Sequence, residues 1–342
     1  MALGTDAAID LGTSRLQIYV SGRGIVVDEP SVVAFHSDTD ELVAVGEEAY
    51  KMVGRTSDRV RVEFPLNGGV ITDFALVEQL VAVFLKKVSS SMVFMPRVVA
   101  CIPGEVTEVE KRAVVNAIST CGVRKICLIE EPVAAAIGAG VDIATPHGCL
   151  VVDIGGGTTD MAVISLSGVA ALRTLKIAGN NFDEAIMKYI RKKYNLLIGK
   201  RMAEEAKKAV GCVYPQPTSK TFRVKGRNAL TGLPQWADIT SDEMLEALID
   251  LGMQITREIQ EMLEETPPEL VGDIYHDGII LTGGGAQMYG FDTLIAKKTR
   301  IPVRVADDPG TCVIRGAGAA LKYIDELDND GIGQLNPLIG EY

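Results

Sequence analysis

The chain has 342 residues, enough for two domains with cores of their own, and 47% hydrophobic against 23% charged residues excludes a disordered protein. A net charge of −11 excludes a general attraction to nucleic acid or anionic lipid, so any membrane contact has to be local. Six scattered cysteines with no CxxC pair argue for reduced thiols, the three histidines are too isolated for a zinc site, and no apolar run approaches the roughly 20 residues of a membrane span.

Residues 5–35 read as alternating strands. The first ends in Asp10, followed by Gly12, Thr13, Ser14 and Arg15, and then by a second apolar strand over 16–20. Two strands joined by a glycine turn make a hairpin. The bare backbone lets N–H groups approach an anion, the hydroxyls add donors, and a carboxylate at the strand end can hold a cation. Residues 42–64 are mixed and polar and read as a small peripheral subdomain. After the turn Asn67-Gly68-Gly69, the spacing of Phe74, Val77, Leu80, Val81, Phe84 and Leu85 predicts a helix over 73–87.

Residues 89–96 break that pattern. Met92, Val93, Phe94 and Met95 stand in a loop bounded by serines and a proline, beside Lys86, Lys87 and Arg97. Either they tuck into the core or they form a shallow membrane-inserting tip supported by nearby cations. Residues 97–103 form a buried strand. Thr107 with Glu110 is a capping box that opens a helix ending at Cys121-Gly122. A strand over 125–129 delivers Glu130-Glu131-Pro132 and a helix of small residues over 133–140. The two acids read as a solvated helix start.

Residues 150–160 are the centre of the chain. An apolar strand runs into Asp153, then Gly155, Gly156 and Gly157, then Thr158, Thr159 and Asp160, and a second apolar strand follows. The same recipe as at Asp10 is repeated, and it is one that grips a polyphosphate with Mg²⁺; a tight turn needing positive φ is the plainer reading. A strand over 170–177 follows, then a helix opened by Gly179 and Asp183 that continues to Tyr194. A shorter helix over 202–210 carries Glu204, Glu205, Lys207 and Lys208. Residues 211–240 look like strands and loops of an outer subdomain. Thr240 and Glu243 cap a long helix with the apolar face Leu245, Leu248, Ile249, Ile255, Ile259 and Met262, ended by Pro267-Pro268. A strand then enters a third glycine loop, Gly283-Gly284-Gly285-Ala286. Residues 316–327 read as a final helix and 328–342 as a loosely ordered tail.

Two facing hairpins and a third glycine loop suggest a nucleotide clamped between two like domains. Domain I is placed at 1–145, with a smaller subdomain at about 36–64 and completed by a C-terminal helix at 311–342. Domain II is placed at 146–310, with a smaller subdomain at about 181–240. Neither a P-loop nor a dinucleotide fingerprint is present.

Several runs together carry a family resemblance. They are Ile9-Asp10-Leu11-Gly12-Thr13, Glu29-Pro30-Ser31-Val32, Leu128-Ile129-Glu130-Glu131-Pro132, Asp153 to Thr159, Thr266-Pro267-Pro268-Glu269-Leu270 and Leu281-Thr282-Gly283-Gly284-Gly285. In this order and spacing the chain resembles the actin and heat-shock-chaperone ATPase superfamily and, within it, the MreB family of bacterial actin-like proteins.

The resemblance implies an α/β, actin-like two-domain fold, each domain a mixed sheet flanked by helices, with ATP or ADP and Mg²⁺ in the cleft. It gives Asp10 and Asp153 to the metal. It gives Gly12, Thr13, Ser14, Gly155, Gly156, Gly157 and Thr158 to the phosphates; Arg15, next in the chain, either reaches a phosphate too or points to solvent. It gives Gly179, Asp183, Glu204, Lys207 and the loop Gly283 to Ala286 to the nucleoside side, and Glu131, assisted by Thr158, to the attacking water. It also implies weak ATPase activity coupled to filament dynamics and a homopolymer of paired protofilaments. The filaments would lie at the inner face of the cytoplasmic membrane and contact wall-synthesis and membrane-anchoring shape proteins. Met92 to Met95 would be a membrane loop, and no nucleic acid is involved. Three residues depart from the family pattern: Arg15 where a small polar residue is usual, Asp160 where Glu is usual, and Tyr289 in a place often basic. A small-molecule kinase or a chaperone-like ATPase on the same clamp is the alternative.

Overall fold

The computed structural model describes residues 6–89, 96–324 and the strand 332–334. The apolar loop 92–95 and the rest of the tail lie outside the described residues. Two mixed sheets organise the chain, and they share one topology. In the first, Ala7–Leu11 pairs antiparallel with Arg15–Val20, which pairs with Gly24–Pro30. On its other side Ala7–Leu11 pairs in parallel with Arg97–Ile102, followed by Lys125–Glu130 and the edge strand Ile332–Gln334. In the second, Cys149–Ile154 pairs antiparallel with Thr159–Ser165 and then Gly168–Leu175, and in parallel with Ile279–Thr282 and then Val303–Val305. The register repeats as well. Asp10 lies opposite Gln17, and Asp153 lies opposite Asp160.

These strands are apolar on both faces because helices cover both faces. Val152, Ile154, Met161 and Val163 pack with Phe182, Ile186, Leu248, Ile255 and Ile259 in one core. Ile9, Leu16 and Ile18 pack with Val77, Leu80, Phe84, Val115 and Ile118 in the other. A third cluster joins the sheets: Ala8, Val99 and Ile129 meet Val151, Ala162 and Ile164, together with helices Glu131–Gly138 and Cys312–Ala320. Those two helices cross at glycines. A β-carbon on Gly138 would lie 1.9 Å from the Cys312 carbonyl oxygen, and one on Gly316 would lie 1.8 Å from that of Ala134. Only glycine permits this approach.

Both predicted capping boxes are present, at Thr107 with Glu110 and at Thr240 with Glu243. The 25-residue helix Ser241–Glu265 buries Met244 and Gly252 with Leu248, Ile255, Ile259 and Met262, so its core-facing stripe is turned slightly from the predicted one; Leu245 and Ile249 sit at its margin. Pro268 opens a further helix, Pro268–Asp277, as a proline at a first helical turn does. Among the described residues the final α-helix is Cys312–Ala320 instead of 316–327, and the expected C-terminal helix over 311–342 does not hold, since Ile332–Gln334 is a strand. Packing of Gly316 against Ala134 and Gly138 places it inside the helix and not at its start. Smaller elements sit outside the two sheets. The first half adds a sheet of Val33–His36, Leu42–Val45 and Val60–Glu63 with helix Glu47–Met52. The second adds the hairpin Thr221–Asn228 and Pro234–Thr240 beside helix Lys200–Val210.

Candidate functional site

The two hairpin turns meet face to face. A β-carbon on Gly156 would lie 1.9 Å from the Ser14 hydroxyl oxygen, and one on Gly157 would lie 2.3 Å from that of Thr13. Thr13 is itself fixed, since its hydroxyl accepts the Gly69 amide at 2.8 Å. The central turn is closed by the Gly155 amide on the Thr158 carbonyl at 2.9 Å. Its Gly155 and Gly156 carbonyls accept the Gly179 and Asn180 amides at 3.1 and 2.8 Å, which brings the start of helix Gly179–Tyr194 to the turn. Lys207 donates to the Gly179 carbonyl at 2.8 Å and pairs with Asp183 at 2.9 Å.

The third glycine loop lies on the end of the same central strand. Gly283, at φ +81°, would put a β-carbon 2.3 Å from the Ile154 carbonyl oxygen, and Gly285 would put one 2.4 Å from the Ile154 side chain. Ala286 is buried behind them, whereas Gly284 faces open space. Glu204 accepts from the Tyr50 hydroxyl, which comes from the other half, and pairs with Lys208 at 2.7 Å. Arg15 is engaged elsewhere: its guanidinium donates to the Asp28 carboxylate at 2.5 Å and to the Asp28 carbonyl at 2.7 Å.

Carboxylates gather where the turns meet. Burial pushes Asp153 up to about 7, with the Asp160 charge adding to it and the Thr282 hydroxyl, 2.7 Å from its Oδ1, opposing it. Asp10 is pushed up to about 7 by burial and then by the charges of Asp153 and Asp28, and its Oδ1 is buried without a hydrogen-bond partner. Glu131, at the start of helix Glu131–Gly138, is raised well above the usual carboxylate range by burial and by Asp160, Asp10 and Asp153. Asp160, fully buried, accepts the Gly104 amide at 2.9 Å and the Thr174 hydroxyl at 2.5 Å. The charges of Asp10, Asp153, Asp160 and Glu131 thus disfavour one another, and a cation relieves that repulsion.

Asp10, Thr13, Ser14, Gly155 to Thr158, Glu131 and Asp153 therefore converge. Gly179, Asp183, Lys207 and the Gly283 loop adjoin the central turn on the second half, and Glu204 lies beyond them. Gln17, Gly69, Gly104, Tyr50 and Thr282 were not singled out by sequence. Two carried a weak signal: Gly69 in its glycine pair, and Thr282 just before a glycine loop. The surface grooves beside His147 and beside Tyr19 contain none of these residues.

The family described as MreB/Mbl protein matches residues 4–329. The chain belongs to the MreB/Mbl family. The cell shape-determining protein MreB of Escherichia coli strain K12 is 45% identical over 332 residues, 95% of this chain and 95% of that one. The cell shape-determining protein Mbl of Bacillus cereus is 44% identical over 323 residues, 94% of this chain and 97% of that one. Among solved structures, MreB5 of Spiroplasma citri bound to ADP superposes with a TM-score of 0.91 at 38% identity, covering 94% of this chain and 97% of that one. The same protein bound to AMPPNP gives 0.88 at 39% identity. The fold is thus the actin-like one of the MreB/Mbl family.

Proposed function

We propose that this chain is an actin-like cell-shape protein that binds ATP between its two hairpin turns, hydrolyses it slowly, and polymerises into membrane-associated filaments. The observation that carries the nucleotide reading is the approach of Gly156 and Gly157 to Ser14 and Thr13, with four acids behind them. That S. citri MreB5 is bound to ADP in one structure and AMPPNP in another supports it. The names of the MreB and Mbl relatives support the role in cell shape.

A divalent cation fits the residues present. Among the described residues no three His, Cys, Asp or Glu groups converge as a ligand set of their own. Mg²⁺ does not need one, because it takes one or two carboxylates, water and substrate phosphates. Asp10, with its orphaned Oδ1, and Asp153 would hold it. When bound it neutralises charge on the phosphates. The backbone of the two turns and the hydroxyls of Thr13, Ser14 and Thr158 hold the phosphate chain in line. Phosphoryl transfer asks mainly for such positioning and charge neutralisation. Glu131, at the start of its helix and within reach of the charges of Asp10 and Asp153, orients the attacking water and accepts its proton.

Among the described residues no helix is long and apolar enough to cross a membrane. The membrane contact is assigned to Met92, Val93, Phe94 and Met95, whose residue types suit shallow insertion beside Lys86, Lys87 and Arg97. Each loop binds weakly, and a filament presents many. The expected site of action is the inner face of the cytoplasmic membrane, with wall-synthesis and membrane-anchoring shape proteins as partners. Electron microscopy of the purified chain with ATP and Mg²⁺ on anionic lipid tests the reading. Filaments lying on the lipid are expected, and their absence at micromolar protein overturns it.

A further inference from the structure

The two halves also touch at their outer elements, away from the glycine turns. Helix Glu47–Met52 of the first half carries Tyr50 to helix Lys200–Val210 of the second, where its hydroxyl donates to the Glu204 carboxylate. Two cation–ring contacts flank that bond. Lys200 Nζ stands 4.2 Å from the centre of the Phe64 ring, and the Arg201 guanidinium stands 6.0 Å from that of Tyr50. All three contacts cross from one half to the other.

Their position relative to the turns follows from the helix itself. Lys207 reaches the Gly179 carbonyl, and the Gly179 amide is bonded to Gly155 of the central turn. Glu204 lies three residues before Lys207 and Lys200 seven before it, all on one helical face. That face runs from the glycine turns to the seam with the first half. A molecule that starts with phosphates at the turns and extends along it passes Glu204 and ends beneath Tyr50.

The chemistry of the contact suits a latch. Burial works to raise Glu204, but hydrogen bonds from Lys208 and Tyr50 outweigh it and hold the carboxylate below its usual range, so it stays ionised. Burial and the Glu204 charge push the Tyr50 phenol up, so it stays a donor. An O–H bond to an ionised carboxylate is among the stronger hydrogen bonds. The side chains of this seam are only half-buried. It can open while both cores stay closed.

We propose that the Tyr50–Glu204 hydrogen bond is a latch across the mouth of the cleft that sets how fast bound nucleotide leaves. The inference rests on the nucleotide reading given above. It makes Tyr50, a residue of the first half's peripheral sheet region, a positioning residue for Glu204 on the second half. Release then requires the seam to part before the nucleoside can pass.

The test is stopped-flow displacement of a fluorescent methylanthraniloyl-ADP by excess ADP. Tyr50→Phe keeps the ring under Arg201 and removes only the hydroxyl. Its dissociation rate is expected to rise roughly tenfold, the scale of one hydrogen bond to a charged group, with the melting temperature of the nucleotide-free chain lowered by only about a few degrees. Glu204→Gln removes the charge that the Tyr50 hydroxyl meets, and because Glu204 also lies on the nucleoside side its effect is read against the double variant. The double variant is expected to release no faster than the faster single variant, as two partners of one bond require. Release of the label from Tyr50→Phe at the wild-type rate overturns the latch, and so do two effects that simply multiply. Failure of the wild-type chain to bind the label at all is a separate outcome, and it overturns the nucleotide reading instead.

Discussion

Gly157 lies so close to Thr13 that a β-carbon at position 157 would sit 2.3 Å from the Thr13 hydroxyl oxygen. The threonine cannot simply turn away, because the same oxygen accepts the Gly69 amide. Gly157→Ala is therefore expected to push the two turns apart and to weaken binding of ATP about tenfold or more, from an overpacking cost of about 1–3 kcal/mol. Titration with a fluorescent ATP measures this, with circular dichroism as the check on folding. Gly284→Ala is the contrasting case. Its methyl meets nothing within 4 Å in the chain, so folding should be untouched while the methyl enters the space assigned to the nucleoside.

The acids give a dependence on pH. Asp10 and Asp153 are each pushed up to about 7 in the nucleotide-free chain, from about 3.9 when unfolded. Between those values the folded chain binds more protons than the unfolded one. Stability of the nucleotide-free chain should therefore fall as pH rises from about 4 to about 7. Asp10→Asn should make that fall shallower, and saturating Mg²⁺ with nucleotide should abolish it. Melting temperatures across this range, with and without the ligands, check both statements.

Glu131 stands at the start of its helix with three acids acting on it. Glu131→Ala is expected to bind ATP with affinity within a few-fold of wild type and to release phosphate about a hundredfold more slowly, the usual scale for losing one positioned acid–base group. Parallel binding and phosphate-release assays measure the split. Equal release from both proteins would remove Glu131 from the role of orienting water.

The crossing of Gly138 and Gly316 predicts a cost of another kind. A methyl on Gly316 would lie 1.8 Å from the Ala134 carbonyl oxygen, and both neighbours are helix backbone that cannot swing aside as a side chain could. Gly316→Ala should lower stability by about 3 kcal/mol. The denaturant midpoint reads it, and an unchanged midpoint would mean the helices part more easily than their spacing suggests.

Legibility from sequence followed the range of the interactions. The hairpins at Asp10 and Asp153 were readable because strand, carboxylate, glycine and hydroxyl are consecutive, and the capping boxes because Thr and Glu stand three apart. The final helix was misplaced because its start at Cys312 depends on glycines buried against Glu131–Gly138, a partner about 180 residues earlier in the chain. The Tyr50–Glu204 bond joins residues 154 positions apart and leaves no local trace at either end. Gln17 escaped notice because a glutamine in an apolar strand reads as an exposed position. It is buried instead, donating to the Asp28 carboxylate at 3.1 Å and the Gly310 carbonyl at 3.3 Å. The family resemblance, not residue spacing, singled out Glu204 and Lys207.

The central claim is that one nucleotide is held by both halves at once, and isothermal titration calorimetry with ATP and Mg²⁺ tests it most directly. The account predicts one site per wild-type chain, and a loss of affinity in Asp10→Asn and in Asp153→Asn alike, since each removes the contribution of one half. No binding heat from the wild-type chain, or a loss confined to one of the two variants, would contradict it.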